Sequence, residues 1–226
     1  MIVSVIGAGS WGTALSLVLA DSGHEVRLWA REPEVVQHIN QKRHNPVYLS
    51  DITLPEHITC FETLKEATLT AQVVLIATPS HAVRSIAGRL APLLNGSQLL
   101  VSVVKGIENE TFMTMTQVLA EVMHDIIPED HIATLYGPSH AEEVALRQPT
   151  AVVVAAYSSS TAAVVQNMFS SPMFRVYVNR DVRGVEISGS IKNIMAIAAG
   201  IAEGAGFGDN AIAALITRGL QEACHV

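Results

Sequence analysis

The feature that most constrains this chain is a turn. Gly7-Ala8-Gly9-Ser10-Trp11-Gly12 follows the apolar run Ile2–Ile6 directly and leads into a helical pattern over Gly12–Ser22. Gly7 permits the tight turn, Gly9 lets backbone approach a pyrophosphate, and Gly12 lets helix and strand pack closely. Alone, a GxGxxG spacing is an ordinary glycine-rich loop. Set between a strand and a helix, it makes an anion site from the first-turn N–H groups and the helix dipole, and points to a dinucleotide.

The pattern that follows agrees with such a site. Strands are predicted at Glu25–Trp29, Val73–Ala77, Gln98–Val103, Ile132–Leu135, Ala151–Ala155 and Arg175–Val178. Helices are predicted near Glu34–Lys42, Ala82–Leu90, Phe112–Met123, Ala141–Leu146 and Thr161–Phe169. Continuous Val/Ile/Leu strands separated by helices imply a parallel sheet covered on both faces. The fold class is therefore α/β, a doubly wound, Rossmann-like, mostly parallel sheet, with its last two strands free to add in mixed orientation. Residues 1–183 make this domain. From 184 the pattern becomes all-helical, with long segments near Val185–Ala202 and Asp209–Ala223 and a break at Gly204, Gly206 and Gly208. Asp209 is placed to cap the second helix. Both helices are apolar over most of their circumference, so both are expected to be buried. Two helices cannot cover each other on all sides, so residues 184–226 read as the start of a second domain, truncated or completed by another copy.

Composition limits the partners. The 226 residues are 49% hydrophobic and 15% charged, which excludes a disordered chain. A net charge of −7 argues against nucleic acid, whose binding is driven by clustered Lys and Arg. Two cysteines, Cys60 and Cys224, form no metal or disulfide pattern, and no histidine lies in a metal spacing, so no metal is expected and a reducing cytoplasm suits the chain. The N-terminus lacks a basic n-region and cleavage site, and the apolar stretch Ile187–Ala202 carries Lys192 and Asn193 and is short for a membrane span.

Several polar residues stand out on this frame. Ala30 occupies the end of the second strand, where an acid would bind the ribose of NAD, and Arg31 follows it, which favours NADP or tolerance of both cofactors; Glu32 turning inward would instead serve NAD. Lys105 ends an apolar strand and so faces the ligand crevice. Lys192 lies among apolar and small residues in Gly189–Gly200, where a cation is rarely unpaired. Burial and a second cation would lower its pKa and suit it to take a proton from an alcohol, with Asn193 hydrogen-bonding the same group. Gly137-Pro138-Ser139 follows another strand, with Ser139 placed to cap a helix or touch a ligand and His140 beside the crevice.

Together these segments resemble the bacterial NAD(P)-dependent glycerol-3-phosphate dehydrogenase family. The matching stretches are Gly7–Ala14, Val104-Lys105-Gly106-Ile107-Glu108, Gly137–Val144, Ser190–Asn193 with its apolar tail, and Gly208-Asp209-Asn210 through Gly219. The resemblance implies reversible reduction of dihydroxyacetone phosphate to sn-glycerol 3-phosphate with NADP or NAD, feeding glycerophospholipid synthesis in the cytoplasm. It implies Lys192 as proton acceptor and Lys105 as a lysine shared by cofactor and substrate. Gly137, Ser139 and Asn193 join them at the substrate, while Gly7, Gly9, Ser10, Trp11, Gly12, Arg31, Tyr48 and Ala141 hold cofactor. His140 departs from the family's usual aromatic, and Tyr136 stands where a small residue is common. The family's later Asp and Ser-Arg-Asn substrate segment is not in these residues, which predicts poor catalysis by the chain alone. Other readings are a different β-hydroxyacid or sugar-phosphate dehydrogenase, or a non-catalytic dinucleotide-binding fragment that associates with copies of itself through its helices.

Overall fold

A computed structural model describes residues 1–225. The chain runs β1 (Ile2–Ile6), α1 (Ser10–Asp21), β2 (Glu25–Trp29), α2 (Pro33–Lys42), β3 (Ile58–Phe61), α3 (Leu64–Thr68), β4 (Val73–Ile76), α4 (Val83–Leu90), β5 (Leu99–Ser102), α5 (Met115–Val122), β6 (Ile132–Tyr136), α6 (Ala141–Ala145), β7 (Thr150–Ala156), α7 (Ser159–Phe169), β8 (Phe174–Asn179), α8 (Val182–Gly204) and α9 (Asp209–Ala223). The strands form one eight-stranded sheet in the order β3-β2-β1-β4-β5-β6-β7-β8. All pair in parallel except β7, which runs antiparallel to β6 and parallel to β8. The mixed orientation of the last two strands follows.

The continuous apolar strands are explained by two cores, one on each face. Val3, Val5, Val73, Leu75 and Val101 point to one core with α1. Ile6, Val74, Ile76 and Leu100, one residue out of phase, point to the other with α4 and α5. Strand order reverses at β1, whose neighbours are β2 on one side and β4 on the other. A crevice beyond the carboxyl ends of β1 and β4 is the ligand position in such sheets.

The sequence pattern missed β3 and α3. Ile58 and Cys60 are buried while Thr59 is exposed, so this short edge strand shows only two inward residues. That is too few for a periodicity to register.

The helical segment differs most from expectation. Asp209 is the first residue of α9, and Gly208 is its N-cap. In α8 only Val182, Glu186 and Gly189 are buried, and in α9 only Gly219. The two helices pack on each other where Gly219 meets Met195, leaving Ile194, Ile197, Ile201, Phe207 and Leu220 at least 60% exposed. The apolar residues ring each helix, whereas the sheet and the partner helix each cover one stripe. At 23 residues α8 is also longer than predicted, long and apolar enough to cross a membrane by length and composition alone; its first two turns dock on the α/β domain through those three buried residues.

Gly12 leaves no room for a side chain, because a Cβ there would overlap the Gly7 carbonyl oxygen. Gly12→Ala is expected to cost about 1–3 kcal/mol or more by overpacking, read as a lower midpoint in urea unfolding with an unchanged m-value.

Candidate functional site

The glycine turn adopts the form that its sequence predicts. Gly7 has φ +121°, and a Cβ on it would stand 2.7 Å from the Ala77 carbonyl oxygen beyond β4. Its N–H donates to the Trp29 carbonyl at 3.1 Å, tying the turn to the end of β2. Nothing lies within 4 Å of the space above Gly9, the N-cap of α1, so backbone and open crevice meet there. Ser10 opens α1 with its first-turn amides free of any side-chain cap.

Asn45 supports this turn and was not foreseen. Buried, it donates through Nδ2 to the Ala8 carbonyl at 2.9 Å and to Thr13 Oγ1 at 3.0 Å. Its Oδ1 accepts from the N–H groups of Val47 and Tyr48, both at 3.1 Å. One amide thus braces the phosphate turn against the loop after α2. The only local signal was the Asn45-Pro46 pair, which marks a turn but not its partner. Tyr48 itself is exposed and reaches the turn through Asn45. Arg31 and Glu32, both exposed, pair at 2.8 Å just past β2.

Two polar atoms at the crevice are buried without a hydrogen-bond partner among the described residues, the Trp11 indole Nε1 and Thr78 Oγ1. Buried polar groups are normally satisfied, so each has hydrogen-bonding capacity that the described residues leave unused. With the open space at Gly9, they fit a bound dinucleotide.

Lys105 stands three residues past β5, with Nζ 5.9 Å from the centroid of the Trp11 ring. Lys192 arrives from α8, and its Nζ donates to the Gly137 carbonyl at 2.9 Å. Lys105 is pushed down to about 8, first by burial and then by the nearby Lys192 ammonium. Burial and a second nearby cation, the two causes that the sequence pattern suggested for Lys192, act on Lys105 at the end of β5. Gly137 is needed where it stands, since a Cβ would lie 2.7 Å from Val152 Cγ1. Lys192 and Gly137 also line a cavity of about 360 Å³ between α8 and the β6–β8 edge, with Asn179 and Ser188.

Of the remaining expected residues, Ser139 shares the Gly137 carbonyl with Lys192. Asn193 is exposed on α8. Ser139 is not a helix cap; His140 is the N-cap of α6, and the Ser139 hydroxyl donates weakly to the Gly137 carbonyl at 3.4 Å. Ala141 is the first, buried residue of that short helix. His140 points outward, with Nδ1 2.7 Å from Glu142.

The loop that carries Lys105 is pinned from below. Arg84 on α4 grips Glu108 in bidentate fashion at 2.9 and 2.8 Å and reaches Glu121 on α5 at 2.8 Å. Glu108 is held down to about 2, chiefly by the Arg84 guanidinium and then by the Thr111 hydroxyl. Neither residue was singled out in the sequence, where 24 positions separate them.

These features define a Rossmann-like α/β domain whose glycine turn and two convergent lysines face one crevice. The chain belongs to the NAD-dependent glycerol-3-phosphate dehydrogenase family: the description of that family's N-terminus matches residues 2–162, and that of its C-terminus matches residues 181–226. Glycerol-3-phosphate dehydrogenase [NAD(P)+] 2 of Salinibacter ruber is 50% identical over 97% of this chain, which spans 64% of that relative's length. The enzyme named glycerol-3-phosphate dehydrogenase [NAD(P)+] in Chlorobium phaeobacteroides is 47% identical over 98% of the chain and is spanned over 66% of its length. Among solved structures, glycerol-3-phosphate dehydrogenase of Coxiella burnetii superposes with a TM-score of 0.90 at 39% identity, covering 98% of this chain and 67% of that one.

Two outcomes follow from the charges. Lys105 is depressed relative to its ordinary value of 10.5, so its burial penalty is complete below pH 8 and is relieved between about 8 and 10.5. Lys105→Met should therefore raise Tm at pH 7, with the gain gone by about pH 10.5. Glu108 is shifted the other way, so its contribution is present above its ordinary 4.5 and lost as pH falls toward 2. Arg84→Ala should cost about 0.5–1 kcal/mol at neutral pH, allowing for solvent screening of this partly exposed pair, and almost nothing at pH 2 in acid-titrated thermal melts.

Proposed function

We propose that the chain provides the cofactor site and the proton-exchanging lysines of a glycerol-3-phosphate dehydrogenase using NADP or NAD. The observation that carries this reading is the convergence of Lys105 and Lys192 beside the glycine turn. Residues 1–183 act as the dinucleotide-binding domain, and residues 184–226 begin the helical substrate domain. The Gly9–Gly12 amides would hold the pyrophosphate, Trp11 Nε1 and Thr78 Oγ1 would each gain a partner, and Arg31 would meet a 2′-phosphate. A bound nicotinamide supplies or receives the hydride.

The lysines divide the remaining work. Lys192, donating from its Nζ, delivers a proton to the ketone oxygen of dihydroxyacetone phosphate and recovers it from the alcohol in reverse. Lys105, enclosed against Trp11, offers a hydrogen-bond donor and positive field to the substrate's oxygen or phosphate. Gly137 lines the cavity that Lys192 enters and Ser139 donates to the Gly137 carbonyl, and the product would feed glycerophospholipid synthesis. A second reading exchanges the lysines' roles, favoured by the midpoint of about 8 at Lys105, which makes a neutral amine accessible in mildly alkaline solution.

NADPH fluorescence titrated in the presence and absence of dihydroxyacetone phosphate tests the assignment. Lys192→Ala should lower substrate-dependent oxidation about 100-fold or more while cofactor Kd stays nearly constant. Arg31→Ala should weaken NADPH about tenfold relative to NADH, as loss of a charge-assisted contact does. An unchanged NADPH/NADH ratio would remove Arg31 from the site. Lack of NADPH binding by the wild-type chain would overturn the cofactor reading as a whole.

A further inference from the structure

The two lysines come from separate elements, and the family pattern does not explain what holds them at a repelling distance. Lys105 lies beyond the end of the β5 ladder at Ser102, and Lys192 lies in the third turn of α8. Tyr136, the last residue of β6 and 3% exposed, touches both of these segments. Its hydroxyl donates to the carbonyl of Val104, the residue immediately before Lys105. Its ring lies flush against Gly189, where a Cβ would overlap ring atoms. The next residue, Gly137, accepts the Lys192 ammonium.

The geometry of α8 gives this contact its leverage. Val182, Glu186 and Gly189 are its buried residues, and their spacing of four and three continues by three to Lys192, so all four share one face. Glu186 clamps the upstream turn, accepting from the Thr116 N–H at 3.0 Å and from the Thr116 hydroxyl. Gly189 then lets the helix backbone settle on the Tyr136 ring, one turn before Lys192. Burial, and then the Glu186 charge, push the Tyr136 phenol up, so its hydroxyl remains a donor across neutral and alkaline pH.

We propose that Tyr136 is a positioning residue that sets the separation of Lys105 and Lys192, its ring seating α8 and its hydroxyl holding the backbone that carries Lys105. This rests on the reading of the two lysines as the working pair. The charged group that acts on Lys105 is Lys192 from α8, while Glu186 is engaged on Thr116 and Glu108 by Arg84. When the tie to Val104 is removed, the two ammoniums separate and rehydrate, and both causes of the Lys105 depression relax.

The chain has only four lysines, Lys42, Lys65, Lys105 and Lys192, so the Nζ of each can be titrated by NMR after ¹³C-methylation, with Lys105→Arg assigning the signal. Tyr136→Phe keeps the ring and removes the hydroxyl; it should raise the Lys105 midpoint by about one pH unit, a tenfold gain in proton affinity. Gly189→Ala, which lifts α8 from the ring, should raise it similarly. In a Tyr136→Ala background, where the ring is gone, Gly189→Ala should have little further effect. A fall in Tm with the Lys105 midpoint unmoved in both single variants would make Tyr136 a packing residue and overturn the proposal. A wild-type midpoint near that of a free lysine would instead overturn the lysine pairing, and this inference with it.

Discussion

Everything in this chain hangs on one contact that only glycine allows, the approach of the α1 backbone at Gly12 to the carbonyl of Gly7. It lets the first helix start directly above the first strand, so that the α1 amides open on the crevice where strand order reverses. Asn45 braces the same turn from the far side through Ala8 and Thr13. The turn is thus held from both sides by contacts within the chain.

Electrostatics set the second level of organisation. Lys105 and Lys192 are brought together in partly dry surroundings, an arrangement that opposes folding and is held by groups around it. Arg84 and Glu108 pin the loop after Lys105, Glu186 clamps α8 on Thr116, and Gly137 receives the Lys192 ammonium. A lysine lowered in pKa beside a second cation, with structural ion pairs outside the crevice, marks a candidate functional site.

The helical segment shows how far pattern can be trusted. Apolar residues around the circumference of α8 and α9 read as burial, yet Ile194, Ile197, Ile201 and Leu220 face outward. Hydrophobic periodicity reports what a helix can bury; whether it does so depends on what packs against it. The docked stripe Val182, Glu186 and Gly189 carried no strong hydrophobic signature, because two of its three members are a carboxylate and a glycine.

The amino-acid sequence by itself determined the α/β class, most strand positions and the strand–turn–helix glycine loop, and it singled out Lys105 and Lys192. These are local or periodic properties: apolar runs, glycine spacing, and cations out of place in their surroundings. The short edge strand β3 escaped because two inward residues make no periodicity. Tertiary structure alone decided that Asn45 braces the glycine turn across 37 positions, that Arg84 grips Glu108 across 24, and that Glu186 meets Thr116 across 70. It also decided that burial and the approach of Lys192 lower the Lys105 pKa, and that Tyr136 touches both the backbone before Lys105 and the helix that carries Lys192. Burial and Coulomb energy depend on distance through space, and no sequence separation encodes that distance until the sheet has brought the strand ends together.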